Sequence, residues 1–123
     1  MKKKQKIWKL ITADRKFSKY ILKRDKECQK CHTKNRRLTC SHFWVRQHYS
    51  TRFDPENCCA LCIFCHVFDK DNWENDRLGE YEAYMRKKLG KKGYDKLKAK
   101  HFKFKSKREA ILECMEFLKK NSD

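Results

Sequence analysis

The sequence has few glycines and prolines and no long apolar run, with three Gly and one Pro in 123 residues. The longest apolar stretch, Cys58 to Cys65, is far shorter than the roughly 20 residues of a membrane-spanning helix, so no membrane segment is expected. Residues 1–6 are basic and no apolar signal-peptide core follows them. A chain of this length without a repeat or a flexible linker is typical of a single domain. The lack of a signal-peptide pattern predicts a reducing compartment.

Acidic residues are also scarce, and the net charge of +17 is unevenly distributed. Residues 1–26 contain 11 Lys or Arg against 2 Asp or Glu, and residues 86–107 contain 11 against 1. Residues 27–85 contain 8 against 9. Two basic arms beside a neutral centre predict contact with a polyanion, and the aromatic residues among Lys100, Lys103 and Lys105 favour nucleic acid over an anionic membrane.

Two Cys-x-x-Cys pairs are the most specific feature of the chain. Cys28 and Cys31 form the first pair, and 30 residues separate it from Cys62 and Cys65. Such pairs can provide four thiolates to one tetrahedral Zn²⁺. A disulfide framework is the alternative, but a reducing compartment favours the metal. The other four cysteines are predicted to be small buried hydrophobes; they are Cys40, Cys58, Cys59 and Cys114.

Hydrophobic periodicity predicts a mixture of helices and short strands. A first helix is expected over 11–25 with Thr12 as its N-cap, and two short strands are expected between 34 and 53. A turn at 54–57 should lead through the second cysteine pair into a helix that carries His66 and Asp69 on one face. Further helices are expected over 75–89 with Gly90 as the C′ residue, around 94–100, and after a Ser106 capping box.

These elements frame a recognisable motif. His42, Asn57 and the run Leu61-Cys-Ile-Phe-Cys-His66 follow the first cysteine pair, and the combination resembles the HNH endonuclease motif on a ββα-metal finger. More narrowly, the region from about 12 to 97 is similar to the NinG (Rap) recombination nucleases of bacteriophages. The segments that carry this similarity are residues 17–25, 41–43, 52–57 and 84–90.

The resemblance implies an α+β fold within a single domain, 1–123. Its centre would be a zinc-bound ββα-metal core over 28–72. A basic N-terminal arm and helix, 1–27, and a basic helical C-terminal region, 73–123, would flank this core. The zinc would be structural, and the resemblance implies Mg²⁺ or Mn²⁺ as the separate catalytic cation.

Individual roles follow from the resemblance. His42 would be the general base that activates water, and His66 would hold the catalytic cation. Asn57 would orient the loop that carries the base. Arg52, with Arg46 nearby, is the candidate for phosphate contact, since a guanidinium can bind two phosphate oxygens at once. As the alternative, either histidine would lie in the zinc shell or in the core.

One position departs from the HNH pattern. Many HNH enzymes place Asp or His directly before the base as a cation ligand, whereas this chain has Ser41 there. Asp69, one helical turn beyond His66, is the proposed substitute ligand. The alternatives are that Ser41 caps local backbone and that Asp69 is a solvated helix residue.

The predicted function is therefore metal-dependent cleavage of DNA, branched or single-stranded, in phage recombination. The resemblance places it in the cytoplasm of a bacterial host, and a homodimer would suit the resolution of DNA junctions. A zinc-ribbon protein that binds DNA and positions a partner without cutting is the alternative from another class. Sequence also leaves open an RNA-binding or RNA-cutting module, because lysine arms do not distinguish the two polymers.

Overall fold

A two-stranded antiparallel sheet holds the middle of the chain and helices cover it. The computed structural model describes residues 6–121. In chain order the elements are α1 (Leu10–Asp25), β1 (Leu38–His42), α2 (Tyr49–Arg52), β2 (Cys58–Cys62), α3 (Glu80–His101) and α4 (Lys107–Lys120). A 3₁₀ turn, Pro55–Asn57, precedes β2, and a π-helical turn, Phe64–Phe68, follows it. The protein is thus α+β, as predicted.

Strand β2 is buried along its whole length because both of its faces are covered. Alternate side chains of a strand point to opposite faces. Cys59 and Leu61 accordingly join a cluster with Tyr81 and Met85 of α3, while Cys58 joins one with residues of α1 and α4. The first five residues of the apolar run Cys58 to Cys65 therefore form the buried strand of the fold.

Helix α1 packs through edge-to-face aromatic contacts with α4 and with the end of α2. Tyr20 of α1 and Phe117 of α4 have ring centroids 5.0 Å apart, and the centroid of Phe17 in α1 lies 5.5 Å from that of Phe53, directly after α2. The Oγ atom of Ser106 accepts a hydrogen bond from the backbone N–H of Glu109 at 3.1 Å, which confirms the predicted cap of α4.

The N-terminal prediction for α1 was wrong in one detail. The helix begins at Leu10 and its N-cap is Lys9, so Thr12 lies inside the first turn. No side chain caps this end of the helix, whereas the prediction assumed that the hydroxyl of Thr12 would do so.

Two element predictions in the centre were also wrong. Only one strand, β1, forms between 34 and 53, because its partner comes after the turn at 54–57. The helix expected after the second cysteine pair is a single π-helical turn that ends at Asp69 in extended conformation. Within residues 6–121, the two strands are therefore not followed by the long helix expected of a ββα finger.

Helix α3 joins the two helices that were predicted over 75–89 and 94–100. Gly90 lies between them with φ 72° and ψ 170°, so the helical path is interrupted there although the helix resumes at once. A positive φ favours glycine, which has no Cβ to clash with the backbone. The predicted break at Gly90 is confirmed, since two helical segments meet there across a residue with non-helical φ and ψ.

No helix within residues 6–121 has the length and apolar character needed to cross a bilayer. Residues 1–5, which begin the predicted basic N-terminal arm, lie outside the described residues.

Candidate metal centre and active-site cleft

The four paired cysteines converge on one point. Their sulfur atoms all lie within 4.8 Å of one another, and Cys31 Sγ is 3.8 Å from Cys62 Sγ. Tetrahedral zinc with Zn–S bonds of about 2.3 Å would separate its sulfurs by roughly 3.8 Å. The arrangement therefore fits a closed four-thiolate site, and these residues could hold a structural zinc.

Each knuckle also orients its first sulfur with a backbone donor. The N–H groups of Cys31 and Cys65 donate to Cys28 Sγ and Cys62 Sγ, each at 3.5 Å. Burial acts to raise the pKa of Cys62, but hydrogen bonds from Cys65 and from the neighbouring thiols outweigh it and lower the pKa to about 7. The Cys62 thiol can therefore readily become the thiolate that a metal site requires.

His42 and His66 line the same cleft, which has a volume of about 610 Å³ and lies between α1 and β1. The two residues come from different elements, β1 and the π-helical turn, and both line this cleft because β1 pairs with the strand that leads into that turn. Charged side chains that also line the cleft are Asp14, Arg37, Arg46 and Glu74.

The imidazole of His42 is held in one tautomer. Its Nε2 atom lies 2.9 Å from the backbone carbonyl of Arg52. Because a carbonyl can only accept, Nε2 carries the proton and Nδ1 keeps a free lone pair. Burial, helped by the charges of Arg52 and Arg46, lowers the pKa of His42 to about 4 despite that hydrogen bond. The ring is therefore neutral at neutral pH, as a general base must be.

The imidazole of His66 is held in the opposite tautomer. The hydroxyl of Thr39 donates its single proton to the carbonyl of Leu61 at 2.8 Å, so it can only accept from His66 Nδ1, also at 2.8 Å. Nε2 of His66 consequently has the free lone pair. Burial lowers the pKa of His66, against the opposing charge of Glu74. A neutral imidazole with a free Nε2 is suitable as a metal ligand.

Asn57 ties the segment after His42 to the start of β2. Its Oδ1 accepts from the N–H of Trp44 at 2.8 Å, and its Nδ2 donates to the carbonyls of Trp44 and Thr51 at 3.0 and 3.2 Å. Its backbone carbonyl accepts from Phe43 at 2.8 Å. The side chain is fully buried, so this amide braces the loop that follows the candidate base.

Ser41 and Asp69, the proposed cation ligands, do not join the cleft. The hydroxyl of Ser41 is buried against the phenol of Tyr81 at 3.0 Å, on the face of β1 opposite His42. The nearest cation to Asp69 is Lys30, at 3.8 Å. Both predictions assumed that a residue next to a histidine in sequence also has its side chain next to it. Alternation along β1 turns Ser41 to the opposite face from His42, and the π-helical turn that carries His66 ends before Asp69.

Glu74 is the carboxylate that sequence reasoning missed. It lies in an irregular segment that folds back on the second knuckle, where the N–H of Trp73 donates to Cys65 O at 2.9 Å and that of Glu74 donates to His66 O at 3.3 Å. This return places Glu74 in the cleft with His66. No spacing pattern signals it, because the segment has no regular secondary structure.

Arg52 does not present its side chain to solvent, contrary to its predicted role in gripping phosphate. Only 8% of the residue is exposed, and its guanidinium binds both carboxylate oxygens of Asp14 while Nη1 donates to the carbonyl of Arg46 at 3.0 Å. The side chain of Arg46, by contrast, is exposed in the cleft.

The lysines predicted to contact nucleic acid differ in their surroundings. Lys100 forms an ion pair with Asp54 at 2.8 Å, and Lys105 is paired with Glu113. Lys103 is exposed. Of these three, Lys103 is the one best placed for a polyanion.

A second basic concavity lies on the other side of α1 and is called here the α1–α4 groove. It has a volume of about 970 Å³, and every charged residue that lines it is basic. The ring of Trp8 carries Lys16 Nζ at 5.3 Å from its centroid, and Tyr20 lines the same groove. Its cationic residues are Lys6, Lys16, Lys19, Lys23, Arg24 and Lys119.

A scan against protein-family models found no match, and neither curated proteins nor solved structures contained a similar chain at a significant level. The functional interpretation consequently depends on the residues and geometry of this site.

We expect Cys31→Ser to lose tightly held zinc and most of the folded stability. Cys31 is exposed, so the substitution removes a thiolate without opening the core, whereas Cys114→Ala alters a buried cysteine far from the cluster and is the control. Structural zinc contributes directly to folding free energy. Zinc content by mass spectrometry and thermal unfolding by circular dichroism measure the effect. An unchanged melting temperature in a zinc-free variant would contradict it.

Arg52 and Arg46 are expected to respond differently to alanine. Arg52→Ala leaves the partly buried carboxylate of Asp14 without its partner and should cost about 1 to 3 kcal/mol of stability. Arg46→Ala should barely change stability but weaken nucleic-acid binding. Denaturant unfolding and binding isotherms on both variants test this, and equal effects on stability would refute the distinction.

Proposed function

We propose that this protein is a divalent-metal-dependent DNA endonuclease of the HNH type. The observation that carries the proposal is the pair of neutral imidazoles in one cleft, held in opposite tautomers. His42 keeps its lone pair on Nδ1 and His66 keeps its lone pair on Nε2. One ring is thus prepared to accept a proton, and the other to bind a cation.

In the proposed reaction, Nδ1 of His42 takes a proton from a water molecule in the cleft. The water oxygen forms a bond to phosphorus, the bond from phosphorus to the 3′-oxygen breaks, and the leaving oxygen takes a proton from solvent. The carbonyl of Arg52 stabilises the charged imidazolium by accepting from Nε2. Asn57 keeps the following loop in place while His42 changes charge.

His66, through Nε2, and the carboxylate of Glu74 are the residues that would hold the divalent cation. The carboxylate oxygen of Glu74 suits Mg²⁺ or Mn²⁺, the imidazole of His66 adds a nitrogen donor, and the charge of Glu74 acts directly on the His66 ring. When bound, such a cation supplies positive charge against the scissile phosphate and the leaving oxygen. Glu74 replaces Asp69 and Ser41 in this proposal.

A cleft and a basic groove lie on opposite faces of α1, and this arrangement supports a branched substrate. Asp14, Phe17 and Ser18 face the cleft, whereas Lys16, Lys19 and Lys23 face the α1–α4 groove. A single duplex in the cleft, where Arg37 and Arg46 reach the backbone, would leave the groove open to a second arm. Aromatic rings among the groove cations also suit stacking on unpaired bases. The homodimer and the host cytoplasm stay predictions from the resemblance.

We expect His42→Ala to abolish Mg²⁺- or Mn²⁺-dependent nicking of plasmid and branched DNA while binding is kept, because the variant loses the proton acceptor but none of the cationic side chains that contact DNA. Loss of a general base typically slows a reaction by about 10² to 10⁴. The matched control is His32→Ala, at an exposed ring that contacts Glu27. Tight binding by the native chain without cleavage under either cation would favour the DNA-binding zinc ribbon, and preference for RNA would indicate an RNA module.

The double substitution Lys16→Ala with Lys19→Ala should weaken binding of a three-way junction more than of a linear duplex. Two lost phosphate contacts should reduce the slope of log K against log salt by about 1.8, at roughly 0.9 per contact. Lys34→Ala with Lys70→Ala, both exposed and outside the groove, is the control. An equal loss for both DNAs would show that the groove does not receive a second arm.

A further inference from the structure

A second group of metal-binding side chains lies apart from the four-cysteine cluster. The sulfurs of Cys40 and Cys58 and one ring nitrogen of His42 all lie within 4.8 Å of one another. Strand pairing produces this group, since His42 lies opposite Cys58 and Cys40 lies two residues earlier on the same face of β1. These two cysteines were predicted from sequence to be ordinary buried thiols.

The position of the two cysteines disfavours a disulfide. Cys40 pairs in register with Ala60, so it is a diagonal neighbour of Cys58. Diagonal partners in an antiparallel pair have Cα atoms about 7 to 8 Å apart, beyond the usual range for a disulfide of roughly 4.4 to 6.8 Å. Two sulfurs that approach each other but do not suit a covalent bond, with an imidazole beside them, suit a shared ion.

The donor set specifies the class of ion. Two thiolates and an imidazole prefer thiophilic ions such as Zn²⁺ and are poor ligands for Mg²⁺ or Mn²⁺. Cys40 and His42 line the cleft, and Cys58 is fully buried beside them. An ion would reach these donors through the cleft, and a tetrahedral ion would have one position left for a water molecule.

We propose that Cys40, His42 and Cys58 form a second site for a zinc-class ion, distinct from the four-cysteine site, and that this ion inhibits the enzyme. Binding engages the imidazole of His42, which the water-activating step needs. The inhibitory part rests on the proposed nuclease function, whereas the binding part does not. Zinc would then have two opposite effects on this protein: it stabilises the fold at one site and blocks catalysis at the other.

The test counts zinc ions on the full chain under reducing conditions. After equilibration with excess Zn²⁺ and removal of free ion, the native protein and Cys114→Ala should each hold two equivalents, and Cys40→Ala and Cys40→Ser should each hold one. Co²⁺ provides an independent readout, since its thiolate-to-metal absorption should decrease by the contribution of one site in both Cys40 variants. Circular dichroism checks that each variant is folded.

A single equivalent in the folded native protein would overturn the proposal, and so would two equivalents in a folded Cys40 variant. Cleavage assays then test inhibition separately. Added Zn²⁺ should suppress Mg²⁺-dependent nicking by the native protein and by Cys114→Ala, but should not change the rate of Cys40→Ala. If no variant cuts DNA, the nuclease proposal fails while the metal count still decides whether the second site exists.

Discussion

The register between β1 and β2 is the constraint on which the rest of the molecule depends. It places His42 opposite Cys58 and Leu38 opposite Cys62, so one end of the ladder carries the candidate base and the other leads into the second cysteine knuckle. A slip of one residue would turn His42 toward Tyr81 and expose Ser41 to the cleft. Burial of β2 on both faces makes that slip costly, because it would move buried side chains to the opposite face of the sheet.

A partly buried ion pair connects α1 to the segment that holds the candidate base, His42. Arg52 binds Asp14 of α1 through two hydrogen bonds, which fixes α2 against α1. The backbone carbonyl of the same arginine then accepts from His42 Nε2 and selects its tautomer. The arginine that was expected to grip a phosphate therefore positions the candidate base. Arg24 and Asp25 act similarly at the other end of α1, since they bind the backbone of Cys58 and Ala60.

Local signals in the sequence predicted the features that depend on nearby residues. The two Cys-x-x-Cys pairs, the Ser106 cap and the break at Gly90 each involve only a few neighbouring positions, and all three are present in the structure. The partner of Arg52 is 38 residues away in sequence, and charge alone does not reveal it. Glu74 reaches the cleft through an irregular segment, for which no periodicity exists.

The candidate metal sites of this chain differ in their ligands, and this difference would direct different ions to different positions. The four-cysteine cluster supplies a complete thiolate shell, so it should hold zinc most tightly and exchange it least. His66 and Glu74 offer no thiolate, and the carboxylate of Glu74 suits a hard cation such as Mg²⁺ or Mn²⁺. Cys40, His42 and Cys58 supply only three donors and share the cleft, so an ion there remains accessible to solvent and to chelators. Both sites that contain cysteines include residues of β1 or β2. The strand pairing that forms the cleft would therefore also make the proposed activity sensitive to zinc.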